Sequence, residues 1–273
     1  MRLVDSHCHL HSTDYDDGQE SVLERARAAG VDRVVCVGTD LEDSKLAVKF
    51  AAEHEGVFAT IGAHPHDVRD NDKSAEKLED IDQLLGLKTP KTVAVGEIGL
   101  DYHFKPYSRE AQIQLFERQL QIARELDLPI VFHVREAYED FWPVVDNFKG
   151  IRGVLHSFSD GLAALNEGLK RGFYIGINGI VTYRKTPEQA EAFANIPLEK
   201  MMLETDAPYL TPSSLHGTVN EPANVGLVFE WAAKHFANMS PADVANTTTK
   251  NTEELFNLNA RERGFSKSTR KHA

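Results

Sequence analysis

Short apolar runs alternate with longer amphipathic stretches along the chain. Residues 3–7, 33–37, 57–62, 92–97, 130–134, 153–156, 173–177 and 201–204 read as strands, several rich in Val and Ile and most leading into Gly or polar residues. Between them the apolar period lengthens. Ile113, Phe116, Leu120 and Ala123 recur at spacings of three, four and three, which puts them on one buried helical stripe. Thr186-Pro187-Glu188-Gln189 predicts a helix start, with Thr at the N-cap, Pro in the first turn and Gln reaching back to close a capping box. Ser240-Pro241-Ala242-Asp243 offers a similar start. Further helices are predicted over 19–29, 43–53, 75–85, 137–148, 161–171 and 222–236.

Eight strand–helix units without a break in composition predict an α/β fold, a (β/α)8 TIM barrel, with an open doubly wound sheet as the competing arrangement. No Gly-x-Gly-x-x-Gly follows the first strand, so nothing supports a dinucleotide site. The expected organisation is one domain over 1–260 and a basic, flexible C-terminal tail over 261–273.

At 273 residues the chain suits a single barrel, and 41% hydrophobic residues suffice for its core. Thirty basic against 42 acidic side chains leave a formal charge of −12. Such a chain lacks the broad positive field that grips duplex nucleic acid, so an anionic substrate would have to be drawn in by local cations, bound metals above all. The two cysteines, Cys8 and Cys36, are too few for a disulfide framework and read as reduced, buried thiols. Met1-Arg2-Leu3-Val4 leads straight into polar Asp5-Ser6-His7 with no export signal, and no apolar run has the length of a membrane span. A cytoplasmic location is therefore expected, with no membrane association and no obligatory protein partner.

The chemistry gathers where the strands end. The first strand runs into His7-Cys8-His9, and side chains two apart on a strand point the same way, so both imidazoles can aim at one metal. The third ends in His64-Pro65-His66, the fourth in Gly96-Glu97 and onward to Asp101-Tyr102, the fifth in His133-Val134-Arg135. His156-Ser157 closes the sixth and Glu204-Thr205-Asp206 the eighth. Barrel enzymes build their sites at the carboxyl ends of the strands, and acids placed there in apolar surroundings need a metal or a proton to compensate them. The constellation reads as a metal site.

Asp5-Ser6-His7-Cys8-His9-Leu10, Gly96-Glu97-Ile98-Gly99-Leu100-Asp101-Tyr102 and Glu204-Thr205-Asp206-Ala207-Pro208-Tyr209-Leu210 closely resemble signatures of the TatD family of metal-dependent deoxyribonucleases. His64-Pro65 and His133-x-Arg135 fit the same pattern, and the match runs from Met1 to about Leu258. The resemblance implies a barrel holding two divalent metal ions and a hydrolase that cuts phosphodiester bonds in DNA or an oligonucleotide, exonucleolytically on single strands. Carried over to this chain, it assigns one ion to His7, His9, Glu97 and Asp206 and the other to Glu97, His133 and His156. Glu97 would then bridge the ions, and Asp206 would be the base that takes a proton from water. His64 and Arg135 resemble positions near the substrate phosphate, and Tyr102 would contact substrate or line the rim. Arg135 suits that place, since its planar fork matches two phosphate oxygens, although a salt bridge to a carboxylate is the ordinary use of an Arg. For His64 the competing role is a hydrogen bond that orients a ligand. His66 reads more simply as a solvent-facing residue.

Two such ions would lower the pKa of a shared water and clamp the phosphate oxygens. Mixed imidazole and carboxylate ligands suit Zn, Mn or Fe, while the resemblance also allows Mg. The chain departs from the family around Gly217, where His216 and Thr218 stand in place of basic residues common in relatives, which weakens the grip on a long backbone. Two other readings compete. An amidohydrolase-type barrel that cuts C–N or ester bonds often bridges its metals with a carboxylated Lys on the fourth strand, yet here Glu97 ends that strand and Lys91 precedes it. A metal-stabilised binding scaffold would have little use for an open coordination position.

Overall fold

The computed structural model describes residues 2–12, 15–67 and 81–259. All eight expected strands form: β1 Leu3–Cys8, β2 Val31–Val37, β3 Val57–Ile61, β4 Thr92–Asp101, β5 Ile130–Arg135, β6 Gly153–Leu155, β7 Tyr174–Ile177 and β8 Met201–Leu203. They follow one another in a single sheet in the order β1-β2-β3-β4-β5-β6-β7-β8, and the pairs β1–β2, β3–β4, β4–β5 and β7–β8 are parallel. The helices are α1 Gln19–Ala28, α2 Leu41–Glu53, α3 Arg109–Leu126, α4 Tyr138–Asp146, α5 Leu162–Lys170, α6 Pro187–Ala194, α7 Val225–His235 and α8 Pro241–Phe256. This alternation is that of the predicted (β/α)8 TIM barrel.

Local chemistry explains most element ends. Asp40 caps α2 by accepting from Asp43 N, and Ser108 caps α3 by accepting from Ala111 N. Both halves of the Thr186/Gln189 capping box form at α6. Ser240 Oγ accepts from Asp243 N at 3.1 Å at the start of α8. Three expectations shift. Strand β4 runs on to Asp101 because its register with β5 continues through Ile98↔Phe132, Gly99↔His133, Leu100↔Val134 and Asp101↔Arg135. Of the helix expected over 75–85, residues 75–80 lie outside the described residues, and Ile81–Leu87 is a 3-10 helix. Pro222–Asn224 forms one 3-10 turn before α7 begins. The tail expected over 261–273 also lies outside the described residues. No described helix is long and apolar enough to cross a membrane.

The chain divides into two compact units, one within Met1–Cys36 and Leu155–Leu255, the other within Val37–Val154. The first unit contains β1, most of β2, β7 and β8 with α1 and α5 to α7. Its strands bury Val4, Val34, Ile175, Ile177, Met202 and Leu203. Cys8 and Cys36 are register partners in it, both free and buried, as the sequence suggests. The second unit contains β3, β4 and β5 with α2, α3 and α4. Phe116 of α3, Phe132 of β5 and Phe141 of α4 form its aromatic centre, with ring centroids 5.2–6.2 Å apart.

Candidate metal centre

In the first unit, β1 is buried along its length although it carries Asp5, Ser6 and His7. The segment after β8 is laced to it. Asp206 N donates to His7 O at 2.9 Å, and His9 N donates to Ala207 O at 2.6 Å. Asp5 ties the two segments from beneath, accepting from His7 N, Thr205 N and Thr205 Oγ1 at 3.3, 2.9 and 2.5 Å. Burial pushes the Asp5 carboxyl well above the usual carboxylate range, against the pull of those hydrogen bonds. Asp206 itself has φ +60°, a left-handed conformation that Asp tolerates better than most residues.

This framework delivers His7, His9, His156 and Asp206 to one place. His7 Nε2 and His9 Nε2 stand 3.3 and 3.4 Å from Asp206 Oδ1, and His156 Nε2 stands 3.8 Å from it. Two ligand atoms bound tetrahedrally to one ion at 2.0–2.1 Å lie about 3.3–3.4 Å apart. The spacings to His7 and His9 therefore fit donors sharing a cation. Burial pushes the Asp206 carboxyl up, but His156, His9 and His7 outweigh it and hold the group below its ordinary range.

His156 is held from behind. Its ring stacks on His7 with centroids 3.5 Å apart, and its Nδ1 lies 2.8 Å from Glu204 Oε1. The same oxygen accepts from Ser157 N at 2.7 Å and Asn178 Nδ2 at 3.3 Å. Glu204 acts on this ring as a close buried charge rather than through a hydrogen bond to Nδ1, one that favours a ring whose other nitrogen faces a cation. Gly176 makes room for this acid, since a Cβ there would sit 2.4 Å from Glu204 Oε2.

In the second unit, Glu97 of β4 and His133 of β5 meet, with Glu97 Oε1 2.7 Å from His133 Nδ1. The other ring nitrogen, Nε2, is 2.8 Å from Asp101 Oδ2, which is also 2.8 Å from His66 Nε2. Burial lowers the affinity of His133 for a proton, but the hydrogen bonds to Asp101 and Glu97 win and raise its pKa to about 9. A divalent ion at Nδ1 would replace that proton while Asp101 kept hold of Nε2–H. His64 behaves oppositely: burial, then the neighbouring His133, push it well below the ordinary imidazole range. His66 N donates to His64 Nδ1 at 3.1 Å, so the proton of the neutral ring sits on Nε2, 3.6 Å from Glu97 Oε1. That makes His64 a hydrogen-bond donor facing the acid.

Helix α3 sets the strand ends of this unit. Gln112 and Gln119, both buried, each clamp a backbone unit through the side-chain amide. Gln112 accepts from Asp101 N and donates to Asp101 O, both at 2.9 Å. Gln119 does the same for Ala63, at 2.7 and 3.0 Å. Asp101, Glu204 and the two glutamines were assigned no role by the sequence reading. A signal was available for Asp101, which lies four residues after Glu97 and so on the same strand face. For the glutamines it was two amides seven apart on an apolar helical stripe.

The remaining predicted residues lie at the rim. The Tyr102 hydroxyl donates to Asp140 Oδ2 at 2.7 Å, Arg109 pairs with the same carboxylate, and the Tyr102 ring stacks on Tyr107 at 4.8 Å. Arg135 lies over the Phe104 ring, 4.9 Å from its centroid, and makes no ion pair among the described residues. Lys91 points elsewhere. Its ammonium donates to His54 O and Val57 O, beside the amino end of β3.

The family model described as TatD related DNase matches residues 4–257. An uncharacterized metal-dependent hydrolase of Bacillus subtilis, YabD, is 35% identical over 259 residues, which are 94% of this chain and 100% of that protein. A Citrobacter rodentium protein named 3'-5' ssDNA/RNA exonuclease TatD is 35% identical over 263 residues, 94% of this chain and 98% of its own. The crystal structure of YJJV, a TatD homologue from Escherichia coli, matches with a TM-score of 0.86 at 29% identity, covering 94% of this chain and 98% of the other.

Proposed function

This chain belongs to the TatD family and is a metal-dependent hydrolase, and we propose that the bonds it cuts are phosphodiesters of single-stranded DNA or oligonucleotides. The observation that carries this reading is a pair of anion-seeking groups next to a set of metal-binding residues. His64 presents an Nε2–H beside Glu97, and Arg135 keeps its guanidinium free of carboxylates among the described residues. A planar cation and a neutral N–H donor match the oxygens of a phosphate.

The ligand chemistry suits a divalent ion in each unit. His7, His9, His156 and Asp206 would hold one, and Glu97 and His133 would hold the other, with Zn, Mn or Fe favoured by the share of imidazole. Such ions acidify water and neutralise charge on a phosphate. Asp206, kept ionised by its three histidines, accepts the proton released at the attacking water. Arg135 and His64 bind the phosphate oxygens as charge gathers on them. Asp101 fixes the tautomer of His133, and Glu204 holds its charge 2.8 Å from His156 Nδ1. The amidohydrolase alternative loses ground because Lys91 is engaged beside the amino end of β3, whereas Glu97 lies six residues further along β4.

The test is incubation of Mn- or Zn-loaded protein with 5′- and 3′-labelled single-stranded oligonucleotides. A ladder shortened from one end supports an exonuclease. Intact oligonucleotides under every metal, with turnover of an amide or lactone substrate, would overturn the proposal.

A further inference from the structure

Beyond β4 the chain turns through His103, Phe104, Lys105, Pro106 and Tyr107 before α3 begins, and this turn carries a surface that the hydrolysis itself does not need. A pocket of about 250 Å³ opens there, lined by Pro65, His66, Phe104, Lys105, Pro106 and Tyr107, with Gln112 also in its wall. Phe104 is 50% exposed, a large apolar ring presented to solvent by the turn. Its ring contacts are fixed: His66 meets it at 4.6 Å and 86°, and the Arg135 guanidinium lies over one face, 4.9 Å from the centroid. Lys105, next in the chain, is exposed and has no acidic partner among the described residues.

The turn is held rather than loose. Asp101 Oδ1 accepts from His103 N at 2.9 Å and Phe104 N at 3.4 Å, while its Oδ2 receives His133 and His66. One carboxylate therefore fixes both a metal-binding imidazole and the backbone that presents Phe104. Tyr107 is braced by its stack on Tyr102, which is tied to Asp140. A ring, two cations and a recess at a fixed offset from His133 match the repeating unit of a nucleic acid strand, a flat base joined to charged phosphates.

We propose that Phe104, Arg135 and Lys105 form a subsite for one nucleotide of the substrate strand, the base stacking on Phe104 and its flanking phosphates meeting the two cations. This rests on the phosphodiesterase reading and deepens it by naming what positions the strand. Base–aromatic stacking is worth about 5- to 150-fold in affinity per base. Because every base has a π-face, the subsite selects for the presence of a base and not for its identity.

The experiment measures binding apart from turnover. The full-length protein, with EDTA present to prevent cleavage, is titrated into single-stranded oligonucleotides carrying 2-aminopurine. Quenching reports the stack, and a matching abasic series reports its loss. Phe104→Ala should weaken binding of the base-containing strand by about 5- to 150-fold and leave the abasic strand unchanged, and Phe104→Trp should restore affinity. Lys105→Ala should lower the salt slope of binding by about one. Equal affinity of wild type and Phe104→Ala for both strands overturns the subsite, as does an equal loss on both. Cleavage by the wild type with Mn is scored separately, so that stacking without cleavage counts against the hydrolysis reading alone.

Discussion

Glu204→Gln isolates the role of the acid behind His156. The carboxylate is buried; its Oε1 accepts from Ser157 N at 2.7 Å and Asn178 Nδ2 at 3.3 Å and lies 2.8 Å from His156 Nδ1. A glutamine of the same shape keeps one carbonyl oxygen but loses the charge that makes these bonds strong. Removing one charge-assisted bond costs about 1.5–3 kcal/mol. The part that reaches the ion is the loss of the negative charge beside the His156 ring, which lowers metal affinity by about 10- to 100-fold, or roughly 1.4–2.7 kcal/mol. Competition with a chromophoric chelator for Zn or Mn reads this directly. The expected result is a raised Kd with the same number of ions per chain at saturation and a wild-type circular dichroism spectrum. An unchanged Kd would refute the argument that Glu204 sets the ring for metal binding. A Kd shift accompanied by an equal fall in the stability of the metal-free protein would show that Glu204 holds the fold instead.

Glu97→Ala should lower metal content by about one ion per chain and abolish oligonucleotide cleavage, as expected of a ligand to the ion it would share with His133; wild-type turnover in labelled single-stranded DNA assays would contradict that assignment. Chelation with EDTA should remove activity while far-ultraviolet circular dichroism persists, whereas a chain that unfolds with its metal would have a structural site. Phe132→Ala, which removes the ring packed edge-on against both Phe116 and Phe141, should lower unfolding free energy by about 3–5 kcal/mol in urea titrations.

Much of the architecture was legible because most strands are compact apolar runs and some helices announce their start, as at Thr186 and Ser240. The candidate site residues stood out as imidazoles and acids near the ends of apolar runs, although Glu97 lies inside β4 rather than at its end. What holds them was harder to read. Asp101 owes its importance to His66, in the 3-10 turn after β3, and His133 of β5, which approach it only in the folded chain. Glu204 was visible inside a motif, yet its role depends on His156, 48 positions earlier. The extent of β4 escaped the pattern for a similar reason: Gly99 interrupts the apolar run, and only the pairing with β5 carries the strand past it. Gly99 has φ +149°, and a Cβ there would lie 2.0 Å from His133 O, so the interruption is what lets the two strands approach.

The paired amides of α3 impose a constraint on how this protein can change. Seven helical residues rise about 10.5 Å and complete almost two full turns, which is why Gln112 and Gln119 face the same way and each finds a backbone unit to grip. Substitutions on the outer face of α3 leave that alignment intact. Inserting or deleting a single residue between them would swing one amide by about 100° and release either Ala63 or Asp101. Over that stretch lineages are free to vary in letter but bound in length, and an alignment of relatives should show gaps everywhere on the surface before it shows one there.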